Sequence, residues 1–291
     1  MEIKTIGVIG AGTMGRGIAY AAAVGGYRTV LEDVSPEMLE EGTEYIRRAL
    51  DEGVSRGKVT EQQQKSALAG LSTARSVDAV CREADLLIEA VPEEMEIKLE
   101  LFTMFDKFAK PKAILASNTS SLSVTELAAI TSRAEDCIGM HFFNPVPKMK
   151  LLEIVRALET SEETVIACAE VGRRMGKEVV IVRESPGFIT SRINAMIGNE
   201  AFFMLQEGIA SASDIDKALK LGLNHPMGPF ELVDLVGLDV RLSILDYLHK
   251  TLGEKYRPCP LLAQYVKAGR LGRKAGRGVY EYGADGVKKS S

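Results

Sequence analysis

KTIGVIGAGTMGRG, residues 4–17, decides how the rest of this chain is read. Thr5 to Ile9 is a short apolar run of strand type, Gly10-Ala11-Gly12-Thr13-Met14-Gly15 interrupts it, and Ile18 to Val24 continues as an Ala-rich helix. Gly10 permits a tight turn, Gly12 lets backbone come close to a pyrophosphate, and Gly15 lets the helix lie against its strand, with phosphates at the positive helix end. Glycine triplets also occur in ordinary turns, so the neighbours matter. The next apolar run, Arg28 to Leu31, ends in Glu32-Asp33. Asp33 stands 23 residues after Gly10, a spacing suited to a carboxylate that binds the adenosine ribose hydroxyls. Ser35-Pro36 follows as a helix start, Ser as cap and Pro at the first position. Strand, loop, helix, strand and acid stand in order, and the loop is shaped for a dinucleotide. The Asp33 charge would repel a 2′-phosphate and no Arg follows directly, which points to NAD rather than NADP.

The 291 residues are 46% hydrophobic and 26% charged, enough for two domains with ample cores. A net charge of -4, with no basic arm, argues against nucleic acid or a membrane surface as partner. The first strand begins within a few residues of Met1 and no apolar run nears the ~20 residues of a membrane span, so no targeting segment and a cytosolic location are expected. Cys81, Cys137, Cys168 and Cys259 are scattered and no His lies at ligand spacing, so neither a metal site nor a disulfide framework is expected.

From Pro36 to about Arg56 the pattern Met38, Leu39, Ile46, Leu50 predicts a long amphipathic helix. A polar segment with Arg56, Lys58 and Lys65 follows, and Gln62 to Leu71 predicts a second helix returning to the sheet. The basic residues of this hairpin are either solvated surface or a grip on an extended anionic substrate. Alternation then resumes: strand Asp85 to Ala90, helix Glu93 to Phe108, and strands Ala113 to Ala116, Cys137 to Met140, Leu151 to Val155 and Glu178 to Val182, with helix Glu162 to Met175 between the last two. After Ser185-Pro186-Gly187 the pattern becomes helical, including one long helix over Phe230 to Leu252. The fold class is α/β: a Rossmann-type doubly wound sheet with a helical hairpin insertion over residues 1–184, then an all-α domain over 185–291. An apolar helical domain of that size needs covering, and a second copy of itself, hence a homodimer, is the expected cover.

Ligands of such sheets bind outside the carboxyl ends of the strands. The tips here carry Val91-Pro92-Glu93, Ser117-Asn118-Thr119-Ser120-Ser121 and His141-Phe142-Phe143-Asn144-Pro145. Of the three histidines, His225 and His249 read as structural, whereas His141 lies at a tip. Glu153, 12 residues on, can fold back against its imidazole through the turn Asn144 to Pro147. A carboxylate on one ring nitrogen fixes the tautomer and makes the other a better proton acceptor. Spacing alone leaves a structural pair and a catalytic dyad equally open.

The ordered set GAGTMGRGIA, VLED, IEAVPE, SNTSSL, HFFNPV, LLEIV, SPGFITSR, NHPMGPFELVD and GRKAGRGVY resembles the L-3-hydroxyacyl-CoA dehydrogenase family, nearest its short bacterial 3-hydroxybutyryl-CoA dehydrogenases, over essentially the whole chain. The resemblance implies NAD as cofactor and an acyl-CoA as substrate. It makes His141 the general base, Glu153 its orienting partner and Ser120 a hydroxyl on the substrate. Gly10, Gly12, Thr13, Met14, Gly15, Asp33, Glu93, Lys98, Ser120, Asn144 and Lys274 are then the residues around NAD, and Arg56 and Lys58, with Ser120, those that face the CoA substrate. In Thr190-Ser191-Arg192, Ser191 stands where the family commonly has a substrate-holding Asn, with a shorter reach. The alternatives are a related hydroxy-acid dehydrogenase that does not use CoA and a dinucleotide-binding sensor without turnover; the second has no need of Ser120, His141 and Glu153 together.

Overall fold

The structure, a computed structural model, describes residues 2–289. It divides into two compact units, Met1–Ser185 and Pro186–Ser291. The first unit runs β1 (Thr5–Ile9), α1 (Thr13–Val24), β2 (Arg28–Glu32), α2 (Pro36–Ser55), α3 (Glu61–Gly70), β3 (Leu71–Ala74), α4 (Val77–Glu83), β4 (Leu86–Glu89), α5 (Met95–Phe108), β5 (Ile114–Ser117), α6 (Val124–Ala129), β6 (Cys137–Phe142), β7 (Leu151–Arg156), α7 (Glu162–Arg174) and β8 (Glu178–Arg183). Among the described residues these strands form one sheet in the order β3-β2-β1-β4-β5-β6-β7-β8. Every neighbouring pair is parallel except β6 and β7, so the last two strands run against the first six. Chain order reverses between β1 and β4, which makes the carboxyl end of β1 the topological switch point.

The central strands are buried over their whole length, as continuous apolar runs in a sheet covered on both faces should be. One apolar cluster joins the sheet to α1, α2 and α7 (Ile18, Ile46, Val165), the other to α4, α5 and α6 (Val80, Phe102, Leu127). The hairpin starts where its caps dictate: the Ser35 hydroxyl accepts from the Met38 N–H at 3.2 Å, and Thr60 and Gln63 form a reciprocal capping box. Leu71 belongs to a strand rather than to the second helix. β3 is a four-residue edge strand whose Ser72 and Thr73 face water, so it carries no apolar alternation that a sequence pattern would register.

The second unit is built of α8 (Thr190–Gln206), α9 (Ala212–Gly222), α10 (Pro229–Val236), α11 (Leu238–Leu252) and α12 (Pro260–Lys267) around Phe202, Phe230, Leu245 and Leu262. The single helix expected over Phe230 to Leu252 is two. Gly237 adopts φ 109, a conformation that side chains disfavour, and the chain turns there between α10 and α11. Buried Asp216 accepts from the Phe230 and Glu231 N–H groups at the start of α10. Buried Asp234 holds the C-terminal segment through the Val279 and Tyr280 N–H groups and the Tyr282 hydroxyl.

Glu231 joins α9, α10 and the C-terminal segment: Lys220 donates to it at 3.2 Å, Lys288 at 2.8 Å and the Gly228 N–H at 3.3 Å. Burial alone would raise its carboxyl, but the bonds from Lys288 and Lys220 outweigh burial and hold it at about 2, against 4.5 unperturbed. A lowered folded-state value means that this stabilisation is complete above the unfolded value and is lost as pH falls from 4.5 toward 2. Glu231→Gln should therefore melt below wild type at neutral pH, with the two midpoints converging as the pH approaches 2. Midpoints that stay parallel across this range would contradict the assignment.

Candidate active site

The glycine loop has the shape its sequence predicts. Gly10 sits at φ 98, and a Cβ on Gly15 would lie 1.7 Å from the Gly10 carbonyl oxygen, so neither position takes a side chain. A Cβ on Gly12 would meet nothing within 4 Å, which leaves open space over bare backbone at the start of α1, the kind of setting a pyrophosphate needs. Asp33 accepts from the Ala11 N–H at 2.8 Å through one carboxylate oxygen and from the Ser35 N–H at 2.9 Å through the other. It thus fixes the loop as well as presenting charge beside it. An apolar cavity of about 610 Å³ adjoins the loop, lined by Met14, Asp33, Val34, Val91, Ile97 and Leu101 among others, a slot suited to a purine ring. Under it Glu32 is 2% exposed, and burial first, then the neighbouring Asp33, pushes its carboxyl up to about 7. These residues suit a dinucleotide.

The next two strand tips are tied together by carboxylates. Glu89, the last residue of β4, is fully buried and accepts from Lys98 at 2.6 Å, from the Val91 N–H at 2.8 Å and from the Ser117 hydroxyl at 2.6 Å. Lys98, 1% exposed, also reaches Glu93 at 3.3 Å. Glu93 then gathers the β5 tip, accepting from the Thr119 hydroxyl at 2.6 Å, the Ser120 N–H at 2.8 Å and the Ser120 hydroxyl at 3.2 Å. Burial works to raise the Glu93 carboxyl; Lys98, Thr119 and Ser120 outweigh it and hold it below its ordinary range. Asn118 joins the third tip by accepting from the Phe142 N–H at 2.9 Å. Glu89, Ser117, Asn118 and Thr119 are missing from the sequence-derived set, because a strand-end acid and small polar residues read alike whether solvated or buried.

His141 on β6 and Glu153 on β7 are directly opposite each other in the antiparallel ladder. Side chains opposite one another share a face, and Nδ1 of His141 lies 2.7 Å from Glu153 Oε2. Both are buried, His141 at 5% and Glu153 at 1% exposure. Phe143 lies against the imidazole with ring centroids 4.4 Å apart, and Asn144 follows in the exposed loop.

Arg56 and Lys58 line a second cavity, of about 420 Å³, with Tyr20, Tyr45, Arg48, Pro145, Pro147 and Lys148 among its walls. Its cations come from the hairpin and from the loop after β6, and two tyrosines give it flat faces. Arg56 is partly neutralised by Glu52 at 2.6 Å. Ser191, in the first turn of α8, and Lys274, paired with Asp239 at 2.6 Å, belong to the second unit. Among the described residues no group of His, Cys, Asp and Glu is arranged to hold a metal ion, and no helix is long and apolar enough to cross a membrane.

A doubly wound sheet with a glycine loop of this shape and an acid at the second strand tip is a dinucleotide-binding fold, and a buried His-carboxylate pair stands near its ligand edge. Residues 5–185 match the NAD binding domain of 3-hydroxyacyl-CoA dehydrogenase, and residues 187–282 match its C-terminal domain. The chain is 48% identical over 283 residues to a probable 3-hydroxybutyryl-CoA dehydrogenase of Bacillus subtilis, covering 97% of this chain and 98% of that protein. It is 47% identical over 281 residues to a 3-hydroxybutyryl-CoA dehydrogenase of Bradyrhizobium diazoefficiens, covering 96% of each. The crystal structure of (S)-3-hydroxybutyryl-CoA dehydrogenase from Ralstonia eutropha matches with a TM-score of 0.93 at 44% identity, over 97% of this chain and all of that one. The chain belongs to the 3-hydroxyacyl-CoA dehydrogenase family of NAD-dependent oxidoreductases.

Breaking the buried pair at the strand tips should be costly. Lys98→Met leaves Glu89 an uncompensated buried charge, with an expected loss of about 3 kcal/mol or more in denaturant unfolding. Adding Glu89→Gln should recover part of it. A loss below about 1 kcal/mol would mean that the pair is dispensable.

Proposed function

We propose that this chain interconverts a short-chain L-3-hydroxyacyl-CoA, 3-hydroxybutyryl-CoA, with its 3-oxoacyl-CoA. The observation that carries the reading is the buried contact between His141 Nδ1 and Glu153. The Bradyrhizobium and Ralstonia relatives are named 3-hydroxybutyryl-CoA dehydrogenases, which supports the substrate. Bound NAD would supply the hydride acceptor for C3 of the substrate. The Glu153 carboxylate accepts a hydrogen bond from the His141 Nδ1–H, which keeps that proton on Nδ1, leaves the lone pair on Nε2 and fixes the ring. Nε2 then removes the hydroxyl proton, the resulting imidazolium is stabilised by Glu153, and the same proton is returned in the reverse direction.

Gly10, Gly12, Thr13, Met14, Gly15 and Asp33 hold the pyrophosphate and adenosine. Glu93, kept in place by Lys98, sets the position of Ser120, whose hydroxyl bonds the substrate beside the nicotinamide, and Asn144 contacts the nicotinamide half. Arg56 and Lys58 attract the CoA phosphates. Ser191 and Lys274 are retained as substrate and cofactor residues on the family pattern alone. The enzyme works as a cytosolic homodimer through its helical unit, where Ile193, Leu221 and Leu223 are 58%, 73% and 65% exposed. Light scattering that gives a monomer would remove the dimer.

NADH oxidation should be rapid with acetoacetyl-CoA and slow with free acetoacetate. Comparable turnover of both would favour a hydroxy-acid dehydrogenase indifferent to CoA, and no turnover of either would favour a sensor. Replacing Arg56 and Lys58 together by Ala should raise KM for acetoacetyl-CoA severalfold, up to roughly tenfold, at low salt and less at high salt, with NADH affinity unchanged. An unchanged KM returns both residues to solvated surface.

A further inference from the structure

Between β6 and β7 the chain makes a turn over residues 143–150 that carries Asn144 and three walls of the cationic cavity, Pro145, Pro147 and Lys148. Its two ends lead directly into the strands of His141 and Glu153. Within it the Lys148 and Met149 N–H groups both donate to the Pro145 carbonyl, which leaves the Val146 and Met149 carbonyls to find donors elsewhere. The side chain of Lys177 supplies them. Its ammonium donates to the Val146 carbonyl at 2.5 Å and to the Met149 carbonyl at 2.9 Å, and the residue is 8% exposed. On the other side Val146 is buried against α1, where a Cβ on Gly17 would come within 2.9 Å of it. The turn is therefore held between the dinucleotide helix and one buried cation.

Nothing in the proposed chemistry uses Lys177, and a charge buried without a carboxylate is costly unless its hydrogen bonds matter. We propose that Lys177 is a positioning residue for acyl-CoA binding, acting through the Asn144 to Met149 turn that it clamps. It touches neither substrate nor cofactor. Gly176, at φ 76, ends α7 and delivers Lys177 to this spot immediately before β8. Burial pulls its ammonium down to about 8, so the strength of the clamp changes in a measurable pH range. The charged groups nearest Lys177 in the chain and on the turn include Lys148 and Lys150 on the turn, Glu170, Arg173 and Arg174 on α7, Glu178 on β8 and Arg16 on α1. The first six are exposed, Glu170 pairs with Arg173, Arg16 lies over the Tyr45 ring, and among the described residues none forms an ion pair with Lys177.

The inference rests on the acyl-CoA reading above, and its test separates the two. Acetyl-CoA, which cannot react, is titrated by calorimetry into wild type and Lys177→Met, beside NADH titrations and melting curves. Lys177→Met keeps the buried stem and removes the donors. Its dissociation constant for acetyl-CoA should rise roughly tenfold while that for NADH stays within about twofold. In wild type, acetyl-CoA binding should weaken from about pH 7 to about pH 9, while the Met variant stays flat. A Met variant that binds acetyl-CoA as wild type does, or one that loses NADH and acetyl-CoA affinity in step with its melting temperature, overturns the positioning role. Should that variant fail to fold, the wild-type pH series decides alone, a flat profile overturning the role. A wild type that binds no acetyl-CoA at any pH sinks the parent reading and this one with it.

Discussion

The reversal of direction between β6 and β7 is the constraint on which the proposed chemistry depends. In a sheet that continued in parallel, the strand after β6 would be reached by a long crossover and its residues would enter from the opposite end. Because β7 instead returns antiparallel, His141 and Glu153 fall opposite each other with side chains on one face, and the ladder of backbone hydrogen bonds sets their separation. The Nδ1 to Oε2 contact of 2.7 Å is thus a product of register rather than of a flexible loop. A one-residue slip in that register would put the two side chains on opposite faces of the sheet.

The same economy of placement governs the strand tips beside it. Glu89 ends β4 and Glu93 lies four residues beyond it, yet between them they accept from the tips of β4 and β5 and from α5. Lys98 makes this possible, since its buried ammonium bonds Glu89 at 2.6 Å and reaches Glu93 at 3.3 Å and so compensates both carboxylates. The result is a rigid rim on which Ser120 is set by its own backbone N–H. The helical unit uses the device again: Asp216 and Asp234 each collect backbone N–H groups and a tyrosine hydroxyl.

Much of this was legible in the sequence, and the exceptions share a cause. Gly10, Gly12, Gly15 and Asp33 declare themselves because the glycine turn and the acid at the second strand tip form a pattern with few substitutes. His141 and Glu153 are visible as a pair because the turn between them is short. Lys98, placed near NAD only by the family resemblance, reads on its own sequence as one more charge on an amphipathic helix, Glu89 as a strand-end acid, and Lys177 as an ordinary basic residue before a strand. Only the fold reveals that each is buried. Gly237 lies inside an apolar run that satisfies helical spacing on both sides, so periodicity passes over the break; its positive φ becomes evident once the helix directions are known. β3 escapes notice because a short edge strand does not need an apolar face.

The most direct measurement of the central claim is the turnover of His141→Gln and Glu153→Gln with acetoacetyl-CoA and NADH, alone and combined, with NADH dissociation constants measured on the same preparations. Gln at position 141 keeps a hydrogen-bonding side chain but cannot carry a proton, so the rate should fall on the order of 10²–10⁴ with NADH affinity preserved. Glu153→Gln should cost less, and the double variant little more than His141→Gln, as expected for residues that act as a unit. Near-normal turnover of His141→Gln, or losses that follow NADH affinity or folding, would contradict the account and leave the pair a structural one.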